Sequence, residues 1–110
     1  MLRIYPVLLE LVRTVSSLIK KLERSDPDLA RQCRRALSSA PLNMAEGSYS
    51  QGRNRGARYH NALGSLREVL ACFEVAAAMG YLPEVDPALR SRFDHIIGTL
   101  VRLTRLTGRA

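Results

Sequence analysis

The stretch IYPVLLELVRTVSSLIKKL (residues 4–22) sets the architecture. Ile4, Leu8, Leu11, Val15, Leu18 and Leu22 recur at spacings of 4-3-4-3-4, the seam of an amphipathic helix. A second apolar row, Tyr5, Val12 and Ile19, runs beside it and makes the face wider than one seam needs. Arg13, Ser17, Lys20 and Arg24 form the opposite, solvated stripe. The same spacing returns in YHNALGSLREVLACFEVAA (residues 59–77) as Tyr59, Leu63, Leu66, Leu70, Phe73 and Ala77, with a small-residue row of Ala62, Val69 and Ala76.

Between these stretches, Ser25-Asp26-Pro27-Asp28 reads as a helix start, a capping side chain followed by proline in the first turn. The helix it opens turns Leu29, Cys33, Ala36, Leu37, Ala40 and Met44 inward and Arg31, Arg34 and Arg35 outward. Pro41 lacks an N–H and predicts a kink or break near Leu37 to Ala40. GSYSQGRNRG (residues 47–56), with three glycines and two serines, reads as a low-order basic loop. Gly80 ends the third helix, and Asp86-Pro87 opens a fourth, with Leu89, Phe93, Ile96, Leu100 and Leu103 inward and Arg102, Arg105 and Arg109 outward. No segment alternates with period 2. The expected fold is all-α, an antiparallel up-down four-helix bundle in one domain over residues 1–110, with helices at about 3–24, 27–46, 57–79 and 87–107.

Composition narrows the chemistry. The 110 residues hold 17 Lys+Arg against 10 Asp+Glu, a net charge of +7, and 15 of the 17 cations are arginine. No run of about 18 apolar residues is available to span a membrane, and a cytoplasmic protein is expected. Trp is absent and aromatics are 5%, which argues against domains built on aromatic stacking platforms. Cys33 and Cys72 form no CxxC and fall in apolar helical stretches, so they read as small buried hydrophobes rather than zinc ligands. There is no Glu-x-x-His for a di-metal bundle site, and His60 and His95 lie off the apolar seams. No GxSxG or P-loop occurs, and Glu46 and Glu68 have no paired base. No catalytic residue, metal or cofactor is expected.

Charge is the remaining signal. The excess lies in the first helix, in the 46–58 segment and in residues 87–110, which alone carry +4. Arg31, Arg34, Arg35, Arg53, Arg55, Arg58, Arg102, Arg105 and Arg109 are the candidate contacts to nucleic-acid phosphates, which reward such a surface through counterion release. Solvated helix faces carry charge in any bundle, so composition leaves phosphate binding and plain surface equally open. An interaction scaffold for an acidic protein partner and a small-ligand-binding bundle are the alternatives.

The stretch from Leu29 to Leu82 resembles a known family, the bacterial four-helix bundle proteins encoded in intervening sequences of 23S rRNA genes. The resemblance rests on Leu29, Gln32, Arg34, Arg35, Ala36, Ser39, Pro41, Asn43, Met44, Ala45, Glu46 and Gly47, then on Gly64, Ser65 and Glu68, then on Gly80, Tyr81 and Leu82. Met44 replaces the family's usual isoleucine, and Ser48-Tyr49 stands where the family often has an aromatic or basic residue directly after Gly47. The resemblance implies an antiparallel four-helix bundle assembled as a ring, typically a homopentamer. It also implies a non-catalytic role in nucleic-acid association, as in the architecturally similar accessory proteins of diversity-generating retroelements. With a ring in view, Tyr5, Val12 and Ile19 become the candidate subunit interface. Asn43, Glu46, Gly47, Gly64, Ser65 and Glu68 are read chiefly as capping and helix–helix contacts, with a ligand or subunit site as the sharper alternative.

Overall fold

A computed structural model describes residues 2–107. They form four helices and, among the described residues, no strand: α1 (Ile4–Ser25), α2 (Pro27–Tyr49), α3 (Gly52–Ala78) and α4 (Pro87–Thr107). The helices pack α1 on α2, α2 on α3 and α3 on α4, with a lighter contact between α1 and α4. One core runs through all four, from Ile4 and Leu8 on α1 to Phe93, Ile96 and Leu100 on α4. The long axis of 42 Å is close to the length of α3, whose 27 residues rise about 1.5 Å each.

The punctuation expected from sequence forms. Asp26 caps α2 by accepting a hydrogen bond from the Leu29 N–H at 3.0 Å, with Pro27 at the first position. Asp86 accepts from the Ala88 N–H at 2.7 Å where α4 begins. After α3, Gly80 adopts φ of +80°, which glycine alone takes without cost. The Tyr81 N–H then bonds the Ala76 carbonyl and the Gly80 N–H the Ala77 carbonyl, the paired bonds of a Schellman ending.

Three expectations are corrected. First, α2 is not broken at Pro41 but runs unbroken from Pro27 to Tyr49. A mid-helix proline costs about 3 kcal/mol. Here Pro41 is itself buried and Leu37, Ala40 and Met44 around it are also buried, so tertiary packing holds the helix across the defect. Second, Gly47–Gly56 is not a loop. α2 continues through Tyr49, α3 begins at Gly52, and only Ser50 and Gln51 connect them. Two of the three glycines, Gly47 and Gly56, are buried, and the exposed Gly52 opens α3 with a φ of 59°. A Cβ at position 47 would lie 2.5 Å from Tyr59 Cε1. Third, the heptad rows drift. Leu18 is half-buried and Ile19 is fully buried, the reverse of the expected seam. An α-helix loses about 20° per seven residues, so the row 4-11-18 rotates out of the core while 5-12-19 rotates into it. Ile19 is therefore a core residue with no surface to offer a second copy, whereas Tyr5 and Val12 stay half-exposed. The same drift leaves Leu70 half-buried and draws Val69 and Cys72 fully inward.

Candidate functional site

The motif residues of α2 and α3 meet along one face. Ser65 Oγ donates to Ser39 Oγ at 2.8 Å. Asn43 Nδ2 donates to the Ser39 carbonyl and to Ser39 Oγ, both at 3.0 Å. Arg58 Nη1 donates to Asn43 Oδ1 at 3.3 Å, and Gln32 Nε2 donates to Glu68 Oε2 at 3.3 Å. A shallow groove above this ladder is lined by Ser39, Asn43, His60, Asn61, Gly64, Ser65 and Glu68.

Asn43, Gly64, Ser65 and Glu68 are thus brought together, joined by Ser39, which links both helices. Glu46 does not line the groove; it lies exposed, with its backbone carbonyl accepting from Ser50 Oγ at 2.9 Å. Gly47 is apart from them too, closed against Tyr59. Gly64 is exposed, and a Cβ there would meet nothing within 4 Å. His60 lines the groove but makes no hydrogen bond to either serine among the described residues, so no base stands by a hydroxyl nucleophile. The arrangement is a polar seam that sets the register of α2 against α3.

Sequence reading missed two things about this region. It did not foresee that Cys33 and Cys72 would be neighbours. Both are free and buried, and each bears on the other's ionisation. Burial pushes the Cys33 thiol up, with Cys72 beside it adding to the rise. Burial also pushes the Cys72 thiol up, partly offset by Cys33 beside it. Their place on facing helices, 39 positions apart in the chain, is settled by the α2–α3 register alone. The second omission is Tyr49, which ends α2 with its ring 82% exposed. The mixed polar and glycine composition around it masked the helix that presents it.

The candidate arginines lie on the surface. Arg31 pairs with Asp28 and Arg34 with Glu23, each at 2.8 Å. Arg55 Nε donates to the Ser50 carbonyl at 2.8 Å and closes the α2–α3 connection. Arg58 is held by Asn43, and Arg102 Nη2 donates to Thr99 Oγ1 at 3.3 Å. Arg35, Arg53 and Arg105 are exposed, and their guanidinium groups have no ion-pair or hydrogen-bond partner among the described residues. Arg109 lies outside the described residues. No charged or polar side chain is buried among the described residues, nor do any of them group His, Cys, Asp or Glu as a metal site. No helix among them is long and apolar enough to cross a membrane.

These features define a four-helix protein with a sealed apolar core, a polar seam between its second and third helices, and an arginine-rich exterior. The profile of the 23S rRNA-intervening sequence protein family matches residues 1–102, and the chain belongs to that family. No curated protein and no solved structure matches this chain significantly.

Proposed function

We propose that this protein is a non-catalytic, nucleic-acid-associating member of its family, an antiparallel up-down bundle that assembles into a homopentameric ring in the cytoplasm. The observation that carries the reading is the set of exposed arginines without counter-charge. Arg35 on α2, Arg53 at the start of α3 and Arg105 near the end of α4 have no acidic partner among the described residues. A guanidinium that the fold does not occupy is available to a phosphate, which it engages in bidentate fashion.

Two features support the assembly. As the α2 partner advances from Gln32 to Ser39 to Asn43, its α3 partner retreats from Glu68 to Ser65 to Arg58, as antiparallel neighbours require. A shallow, largely apolar groove between α1 and α2 is lined by Val12, Ser16, Arg34, Arg35, Leu37 and Ser38. It joins half-exposed Val12 to the free Arg35, so an apolar contact between copies would set arginines at its rim. A ring multiplies the +7 of one chain by its number of copies and makes the surface multivalent.

The test is fluorescence anisotropy with a labelled rRNA helix and with duplex DNA. Engagement of about six phosphates predicts an affinity loss of roughly a thousandfold between about 50 and 200 mM salt. Absence of binding at low salt refutes the proposal. Light scattering that returns the 12.3 kDa of a single chain refutes the ring.

A further inference from the structure

The two tyrosines of the α2–α3 hairpin have opposite fates. Tyr59 is 2% exposed and packs on Gly47, whereas Tyr49 on the last turn of α2 is 82% exposed. Among the described residues nothing uses the Tyr49 ring: it belongs neither to the core nor to the apolar side chains packed against it, and its hydroxyl makes no hydrogen bond. Its surroundings are basic. Glu46 stands exposed one turn back on α2, but from Gly47 to Arg67 the sequence has four arginines and no acidic residue. Arg55 is committed to the Ser50 carbonyl and Arg58 to Asn43, whereas Arg53 is exposed and its guanidinium has no partner among the described residues. The α3 start beside it has no side-chain cap and no acidic residue in its first turn, so its positive end is uncompensated.

We infer that this tip binds an unpaired base of single-stranded nucleic acid, with the Tyr49 ring stacking on the base and Arg53 holding the adjoining phosphate. The inference rests on the nucleic-acid reading above and adds strandedness and a location to it. In a duplex the base faces are already stacked on one another, and a protruding ring has nothing to cover. In a single strand or loop every base offers a π-face, and stacking with a nearby cation is the recurring mode of capture; the low aromatic content argues against a platform of several rings, not against one ring taking one base. A phenol ring on a helix end, four residues before an unpaired guanidinium, fits that partner.

The experiment uses the full chain and a fluorescein-labelled RNA of mixed sequence, about 16 nucleotides long, read by anisotropy with the strand alone and annealed to its complement. Tyr49→Ala is expected to weaken single-strand binding about 5- to 100-fold, while Tyr49→Phe keeps it and duplex binding stays unchanged in both. Arg53→Gln is expected to lower the salt slope for the single strand by about 0.7, the share of one phosphate. Because Tyr49 is exposed, its variants keep the parent's urea midpoint, which circular dichroism checks. Should Tyr49→Ala leave single-strand affinity unchanged, or lower single-strand and duplex affinity equally, the tip inference is overturned and the general nucleic-acid reading survives. Should the parent bind neither RNA, both are overturned.

Discussion

Gly47→Ala adds one methyl group where the Tyr59 ring of α3 packs against the backbone of α2. That carbon would lie 2.5 Å from Tyr59 Cε1, 2.7 Å from Cδ1 and 3.2 Å from Cζ. Favourable carbon–carbon contacts lie at about 3.5–4.0 Å, so the ring must retreat by about 1 Å. Tyr59 is 2% exposed and cannot swing into solvent, so either its rotamer or the helix spacing gives way. Overpacking of this kind costs about 1–3 kcal/mol. Alanine returns up to about 1 kcal/mol through its higher helix propensity. The expected net destabilisation is about 1–2 kcal/mol, a fall in urea midpoint of about 0.5–1 M for a slope of about 2 kcal/mol/M. Gly64→Ala is the internal control. It makes the same chemical change in a helix, where the new carbon meets nothing within 4 Å, and should raise the midpoint through propensity alone. Urea titration followed by circular dichroism reads both. If Gly47→Ala is as stable as the parent, the close approach at Tyr59 is refuted. A Gly47→Ala/Tyr59→Leu double variant should recover part of the loss, since the two sites are in contact and couple.

Three further outcomes are expected. Asp26→Ala removes the bond to the Leu29 N–H and should cost about 1 kcal/mol, read as a lower urea midpoint; an unchanged midpoint refutes the cap. Ser65→Ala leaves Ser39 Oγ its bond from Asn43. It should therefore cost only about 1 kcal/mol, whereas Ser39→Ala strips partners from both Ser65 and Asn43 and should cost more in the same titration. Cys33 and Cys72 are held protonated by burial. Their thiols ionise in the unfolded chain at a lower pH than in the fold, so stability is intact below that pH and falls as pH rises past about 9. A Cys33→Ala/Cys72→Ala variant should lose that part of the slope in urea titrations across alkaline pH. Equal slopes in parent and variant would overturn the assignment.

The arginine surface was legible in the sequence because charge has nowhere to go but outward. Arg31, Arg34, Arg35, Arg53, Arg58, Arg102 and Arg105 are all exposed, and that needed only the apolar periodicity. The polar seam was legible as a set of motif residues but not as an object. Ser39 and Ser65 are 26 positions apart, and their bond exists only once α2 and α3 have chosen a register. Glu46 and Gly47 lie one turn beyond Asn43 on the same side of α2, and only the packing of α3 decides that Gly47 closes on Tyr59 while Glu46 stays exposed.

By itself the sequence determined four helices, their caps and the identity of most of the core, because those follow from local spacing and from side chains that reach backbone a few residues away. Asp26, Gly80 and Asp86 act within a turn of themselves. Tertiary structure decided what depends on a neighbour. It carried α2 through Pro41 and converted the glycine-rich 47–56 segment from an expected loop into two packed helix ends. The reason is common to both. A glycine or proline inside a helix costs about 1–3 kcal/mol, and the burial of Leu37, Met44 and Tyr59 against facing helices outweighs it. Ile19 turns inward for a local reason, the rotation of an α-helix against a seven-residue repeat.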